Sequence, residues 1–175
     1  MHVDPLERKW AILSVTLMVL SMVVLGFYAL EANIRPPSNV ETIDSTRLHL
    51  TEEFAEDNLG VKTAADGAVH VTMVAARYGF FPRTVTVPQG VPVTIRIASA
   101  DVLHGLHAPG TNFNTMVVPG YVSQLTVTFP RTGEFPVMCN EFCGLGHDYM
   151  WSRLKVVPKD QFRASLKEEV RHEQG

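Results

Sequence analysis

Cys139-Asn140-Glu141-Phe142-Cys143-Gly144-Leu145-Gly146-His147-Asp148-Tyr149-Met150 brings two thiols, an imidazole and a thioether into one short stretch of chain. These are soft donors. Thiolate and thioether favour copper over the harder metals that carboxylates serve, and imidazole suits copper in both oxidation states. Cys143-x3-His147-x2-Met150 alone supplies the Cys, His and distant Met of a blue-copper loop. A second His upstream normally completes such a loop, and Asp101-Val102-Leu103-His104-Gly105-Leu106-His107 offers one. A one-copper site has no use for Cys139. Two thiolates projecting into one loop can bridge two coppers instead.

Two simpler readings compete. Paired cysteines in an exported domain commonly form a disulfide, but that leaves His147 and Met150 at ligand spacing without a reason. Two Cys with two His also suit tetrahedral zinc. Zinc leaves Met150 without a role.

Cys-x-Glu-x-Cys-Gly-x-Gly-His-x-x-Met, preceded by Asp101-Val-Leu-His104, resembles the binuclear copper (CuA) domain of subunit II of haem-copper cytochrome c oxidases. The resemblance runs from about Val71 to Val157. It implies a cupredoxin fold in which Cys139 and Cys143 bridge two copper ions and His104 and His147 each cap one. Met150 and the backbone carbonyl of Glu141 are then the weak ligands. The family pattern selects His104 over His107, which becomes a supporting or surface residue. The Glu141 carboxylate helps bind magnesium in many members, an ion suited to oxygen ligands; the alternative is an interface carboxylate. Tyr78, Phe80 and Phe81 fall where related subunits set aromatics near the face that receives electrons, or else belong to the core. Trp151 joins that face. Asp101 orients a group across the subunit interface or closes a strand-end turn.

One departure matters. The larger branch of the family has two membrane helices and a Trp-rich segment, whereas this chain offers one apolar run and Arg77-Tyr-Gly-Phe-Phe-Pro82, as in the single-helix B-type oxidases. The implied partners are a haem-copper catalytic subunit I, a c-type cytochrome or small copper protein as donor, and the membrane. Oxygen is reduced in the partner chain, so this polypeptide alone is not expected to turn over. A nitric oxide reductase copper subunit is the alternative within the class. A membrane-tethered copper chaperone needs no Met150 at this spacing, and a blue-copper carrier needs no Cys139.

Composition fits this. The chain has 175 residues, room for one ordinary domain and a small appendage. A net charge of -3 makes nucleic acid an unsuitable partner. Both cysteines lie in the loop, so no disulfide framework is needed for folding.

Residues 1–9 are polar and are read as cytoplasmic. Residues 10–31 read as a transmembrane helix: positions 10–30 carry no charge, and about 20 helical residues span the roughly 30 Å hydrocarbon core. A cleaved signal peptide has a shorter apolar region and a small-residue cleavage site. Arg8 and Lys9 precede the run and only Arg35 follows closely, so the N-terminus is expected inside and the copper domain outside. Residues 32–68 read as an acidic, Pro-broken connector. From Val69 to residue 158 the period is two, with strand signals at 69–75, 84–87, 91–97, 124–129 and 151–157 punctuated by Gly and Pro. That predicts an all-β Greek-key sandwich or barrel. The charged tail, 159–175, spaces Phe162, Leu166 and Val170 as one amphipathic surface helix does. His2, His49, His70 and His172 read as solvated, and Met116 and Met138 as packing.

Overall fold

A computed structural model describes residues 4–31 and 41–163. Helix α1 spans Pro5–Glu31 and buries none of its residues within the protein. It starts earlier than Trp10 because Asp4 caps it, accepting the Leu6 N–H at 2.7 Å, and Pro5 suits the first helical position. Two of its hydroxyls are satisfied internally: Thr16 donates to the Ile12 carbonyl and Ser21 to that of Leu17, both at 2.8 Å. That removes the cost of carrying them in hydrocarbon. The helix is long and apolar enough to cross a membrane.

The other unit is all-β, with strands β1 (Gly60–Thr63), β2 (Val69–Ala76), β3 (Gly79–Phe81), β4 (Thr84–Pro88), β5 (Pro92–Ser99), β6 (His104–His107), β7 (Asn114–Val117), β8 (Val122–Thr128), β9 (Gly133–Met138) and β10 (Trp151–Val157). One sheet runs β1-β2-β5-β8 with β3 on β2; the other runs β4-β10-β9-β6-β7. The β2–β5 and β4–β10 pairs are parallel and the rest antiparallel. This is the expected cupredoxin-like sandwich. Alternation sets the inner faces. Val71, Met73, Ile95 and Ile97 of one sheet and Val87, Leu106, Val137 and Leu154 of the other form the main core. Phe113 and Phe129 meet edge to face at 6.3 Å.

Much of the expected connector is folded onto the domain. Thr42 bridges to Tyr121, Ile43 N–H donates to Gly120 O and Val122 N–H to Glu41 O, each at 3.0 Å. Leu48 and Phe54 pack with Ala98 and Val122 in a second small core, and burying two such side chains contributes about 2 kcal/mol each. Arg96 of β5 binds Glu53, Glu41 and Gln124. Residues 41–63 therefore belong to the sandwich, and two of their carboxylates, Glu41 and Glu53, are met by that arginine. At the other end, residues 159–163 are helical. Phe162 is buried in the main core rather than laid on the surface. Leu166 and Val170 lie outside the described residues.

Candidate metal centre

Three pieces of chain converge at one end of the core. His104 opens β6, Cys139 follows directly on β9, and Met150 directly precedes β10. The 139–150 loop is closed by Cys139 N–H donating to Met150 O at 3.0 Å. Inside it, His147 N–H donates to Gly144 O at 3.1 Å, and His147–Tyr149 forms a 3-10 turn. Cys139, Cys143, Met150 and His104 are all buried.

The donor atoms face one another. His104 Nδ1 is 3.9 Å from Cys139 Sγ, and the two sulfurs are 3.9 Å apart. Cys143 Sγ stands 3.6 Å from His147 Nδ1 and 3.6 Å from Met150 Sδ. The Cys139 thiol donates to the Glu141 carbonyl at 3.2 Å. A disulfide needs about 2.05 Å, so both thiols are free. Donors held by one soft metal at bonds of about 2.0–2.3 Å lie roughly 3.3–3.8 Å apart. The cluster fits a metal on that measure, and its soft sulfur and imidazole atoms suit copper.

Strand parity decides which histidine faces the thiols. His104 and Leu106 point into the core, whereas His107 lies on the other face of β6, half-buried, with its Nδ1 enclosed and lacking a partner. His104 gathers with the thiols. Asp101 fixes its ring, with Oδ1 2.8 Å from Nε2. Asp101 also accepts the Val102 N–H at 2.6 Å and the Arg77 N–H at 2.7 Å, and the Arg77 guanidinium is 3.5 Å away. Burial pushes the Asp101 carboxyl up, but hydrogen bonds from His104, Val102 and Arg77 outweigh it and leave the carboxyl below its usual range. An ionised Asp101 accepts a hydrogen bond from the Nε2–H of a neutral His104 ring, which leaves the Nδ1 lone pair facing sulfur. Burial, and then the neighbouring Cys139, push the Cys143 thiol up to about 11.

The remaining expected residues divide. Phe80 is fully buried in the main core. Phe81 is exposed, as is Trp151, over whose ring Arg153 lies at 6.0 Å. Tyr78 packs partly buried against the core. The Glu141 side chain is partly exposed. Around the loop, Phe142, Leu145 and Tyr149 stand out to solvent, and Phe142 tilts against His147 at 5.8 Å. Sequence reasoning missed the roles of Arg77 and Gly105. Asn140 occupies the space where a Gly105 side chain would begin, and a glycine directly after a candidate ligand was the available signal.

Residues 81–157 match the family model for the periplasmic domain of cytochrome c oxidase subunit II. Cytochrome c oxidase subunit 2 of Thermus thermophilus is 32% identical over 152 residues, covering 86% of this chain and 90% of that protein. A chain in the cryo-EM structure of a haem-copper terminal oxidase dimer superposes with a TM-score of 0.68 at 26% identity, covering 86% of this chain and 99% of the other. The periplasmic domain of subunit II of cytochrome oxidase from Bradyrhizobium japonicum shares the fold, with a TM-score of 0.51 at 18% identity over 57% of this chain and 91% of that one.

Proposed function

Because the chain belongs to the cytochrome c oxidase subunit II family, and so to an oxidoreductase complex with a haem-copper catalytic subunit, we propose that it is the electron-accepting subunit of that complex. It takes electrons from a c-type cytochrome or small copper protein and passes them to a haem in the catalytic subunit, where oxygen is reduced to water. The observation that carries the reading is the pair of free thiols 3.9 Å apart, flanked by His104, His147, Met150 and the Glu141 carbonyl. Two sulfurs at that distance can both reach one metal at bonds of about 2.3 Å. A second thiolate supports a bridged pair of coppers over the single copper that one thiolate would hold.

A copper pair, when bound, would supply reversible one-electron storage. The chain's own residues keep that exchange fast. Cys139 and Cys143 would hold the copper as thiolates, with His104, His147, Met150 and the Glu141 carbonyl as the further donors gathered around them. Asp101 holds the His104 ring in one orientation, and the closed loop holds His147, so ligand positions change little between redox states. Preorganised donors of this kind reduce the rearrangement that each transfer requires. Helix α1 anchors the chain in the cell membrane as a single pass, with Arg8 and Lys9 on the cytoplasmic side and the copper domain outside. The Glu141 carboxylate is available to a magnesium ion shared with the catalytic subunit. Bound manganese or magnesium that is unchanged in Glu141→Gln complexes would remove that role.

The deciding experiment is copper stoichiometry with visible and EPR spectra on the full chain in detergent. Two coppers per chain sharing one unpaired electron is the expected result. One copper with a localised signal, retained in Cys139→Ser, overturns the reading in favour of a blue-copper carrier or chaperone. Nitric oxide reduction without oxygen consumption by the purified complex would move the protein to the reductase branch.

A further inference from the structure

Gly144 and Gly146 flank Leu145, whose side chain is 97% exposed, and both lie against Tyr78. A Cβ built on Gly144 falls 2.7 Å from Tyr78 Oη and 3.4–3.5 Å from its ring carbons. One built on Gly146 meets Tyr78 Cγ at 2.6 Å and Cε2 at 2.9 Å. Real Cβ atoms essentially never come within 3.0 Å. The ring therefore spans both glycines and occupies the volume their side chains would need. Gly144 O accepts the His147 N–H at 3.1 Å and Gly146 O accepts the Tyr149 N–H at 3.1 Å, so the backbone that Tyr78 backs is the backbone that sets His147.

The neighbouring residue serves the other histidine. Arg77 donates its N–H to Asp101 Oδ2 at 2.7 Å, and Asp101 Oδ1 holds His104 Nε2 at 2.8 Å. Three residues on, Phe80 is fully buried in the main core, which ties the turn between β2 and β3 to the sandwich. One two-residue turn thus touches the supports of both histidines, which come from elements far apart in sequence.

We propose that Arg77 and Tyr78 form a clamp that positions His104 and His147 relative to each other, with the Tyr78 ring serving as the backing plate of the metal loop. This inference rests on the copper reading above. Tyr78 is a positioning residue here: it acts on His147 through Gly144 and Gly146. The clamp explains why the loop can leave Phe142, Leu145 and Tyr149 in solvent and still hold its donor atoms at fixed spacing. It also assigns the two glycines a steric reason, beyond the left-handed φ of +128° at Gly144.

The test uses the full chain in detergent, copper-loaded and metal-free, in wild type, Tyr78→Phe, Tyr78→Ala, Gly146→Ala and the Tyr78→Ala/Gly146→Ala double variant. Tyr78→Ala is expected to release copper to a chelator about 10-fold faster and to shift the visible bands, as loss of a ligand-orienting contact does. Tyr78→Phe keeps the ring and is expected to match wild type. Gly146→Ala is expected to speed release in the wild-type background but to add little once the ring is gone. In the metal-free chain, chymotrypsin is expected to cut at Phe142 or Tyr149 faster in Tyr78→Ala than in wild type, compared at a temperature well below both thermal midpoints. Wild-type release, spectrum and cleavage in Tyr78→Ala would overturn the clamp, as would an equal Gly146→Ala effect in both backgrounds. A single localised copper in wild type fails the functional reading instead, and the metal-free cleavage rates still decide the clamp.

Discussion

Asp101 Oδ1 sits 2.8 Å from His104 Nε2 while His104 Nδ1 faces Cys139 Sγ at 3.9 Å. The carboxylate and the thiol grip opposite edges of one buried ring. Asp101→Asn keeps an acceptor for the Val102 N–H, and with it the local turn, but discards the charge. We expect it to weaken copper binding about 10- to 100-fold, measured by competition with a chelator, with little change in thermal midpoint. Wild-type affinity in Asp101→Asn and loss only in Asp101→Ala would mean that Asp101 serves the turn alone.

Arg96 joins the 41–63 segment to β5. Its side chain is 22% exposed and binds Glu53 and Glu41, whose own exposure lets water screen part of the attraction. Arg96→Met is expected to cost about 1–2 kcal/mol, read as a lower midpoint in urea, and to open the 41–59 stretch to proteolysis. Copper spectra are expected to stay as in wild type, because the cluster touches none of the metal donors. A spectral change without a stability change would contradict this assignment.

The raised Cys143 thiol carries a pH dependence. Folded Cys143 keeps its proton to about pH 11, against an ordinary value of 9.0, so the metal-free fold is favoured below pH 9 and loses that contribution as pH rises from 9 towards 11. Copper needs the thiolate, so loading at pH 7 expels the proton, and apparent affinity climbs with pH up to that range. Stopped-flow mixing of metal-free protein with copper and a pH indicator should register protons released with binding. No release in weak buffer at pH 7 would show that the thiol was already ionised.

Some of this was legible in the sequence and some was not, for reasons particular residues make plain. The 139–150 loop advertises itself because its donors are local. Strands β2 and β5 were legible because Val69, Val71, Met73 and Val93, Ile95, Ile97 alternate cleanly with polar residues. Strand β9 hides behind Glu134 and Pro136, and β6 is four residues long with a glycine in it. The 41–63 segment reads as linker because acidic residues surround Leu48 and Phe54. Only the fold brings up Arg96, which lies 43 residues from Glu53. The Arg77–Asp101 contact, 24 residues apart, leaves no local trace either. Asp101 was singled out for an interface or a turn, and the structure adds a third partner, His104.

Gly105 offers a test of how tightly the two ligand-bearing segments approach. A Cβ there would collide with the Asn140 side chain and sit 3.2 Å from the Glu141 backbone nitrogen. Asn140 is exposed and can swing away, giving up only its 3.4 Å bond to Asn114. The Glu141 backbone cannot, since Asn140 N–H is bonded to Gly105 O at 3.3 Å and the Glu141 carbonyl faces Cys139. Gly105→Ala is therefore expected to cost about 1–3 kcal/mol as local overpacking and to perturb the copper spectrum through Glu141 and Cys139. Adding Asn140→Ala should recover part of the stability but not the spectrum, because the backbone contact remains. Complete recovery of both in the double variant would mean that the Asn140 side chain alone fixes the spacing between β6 and the loop.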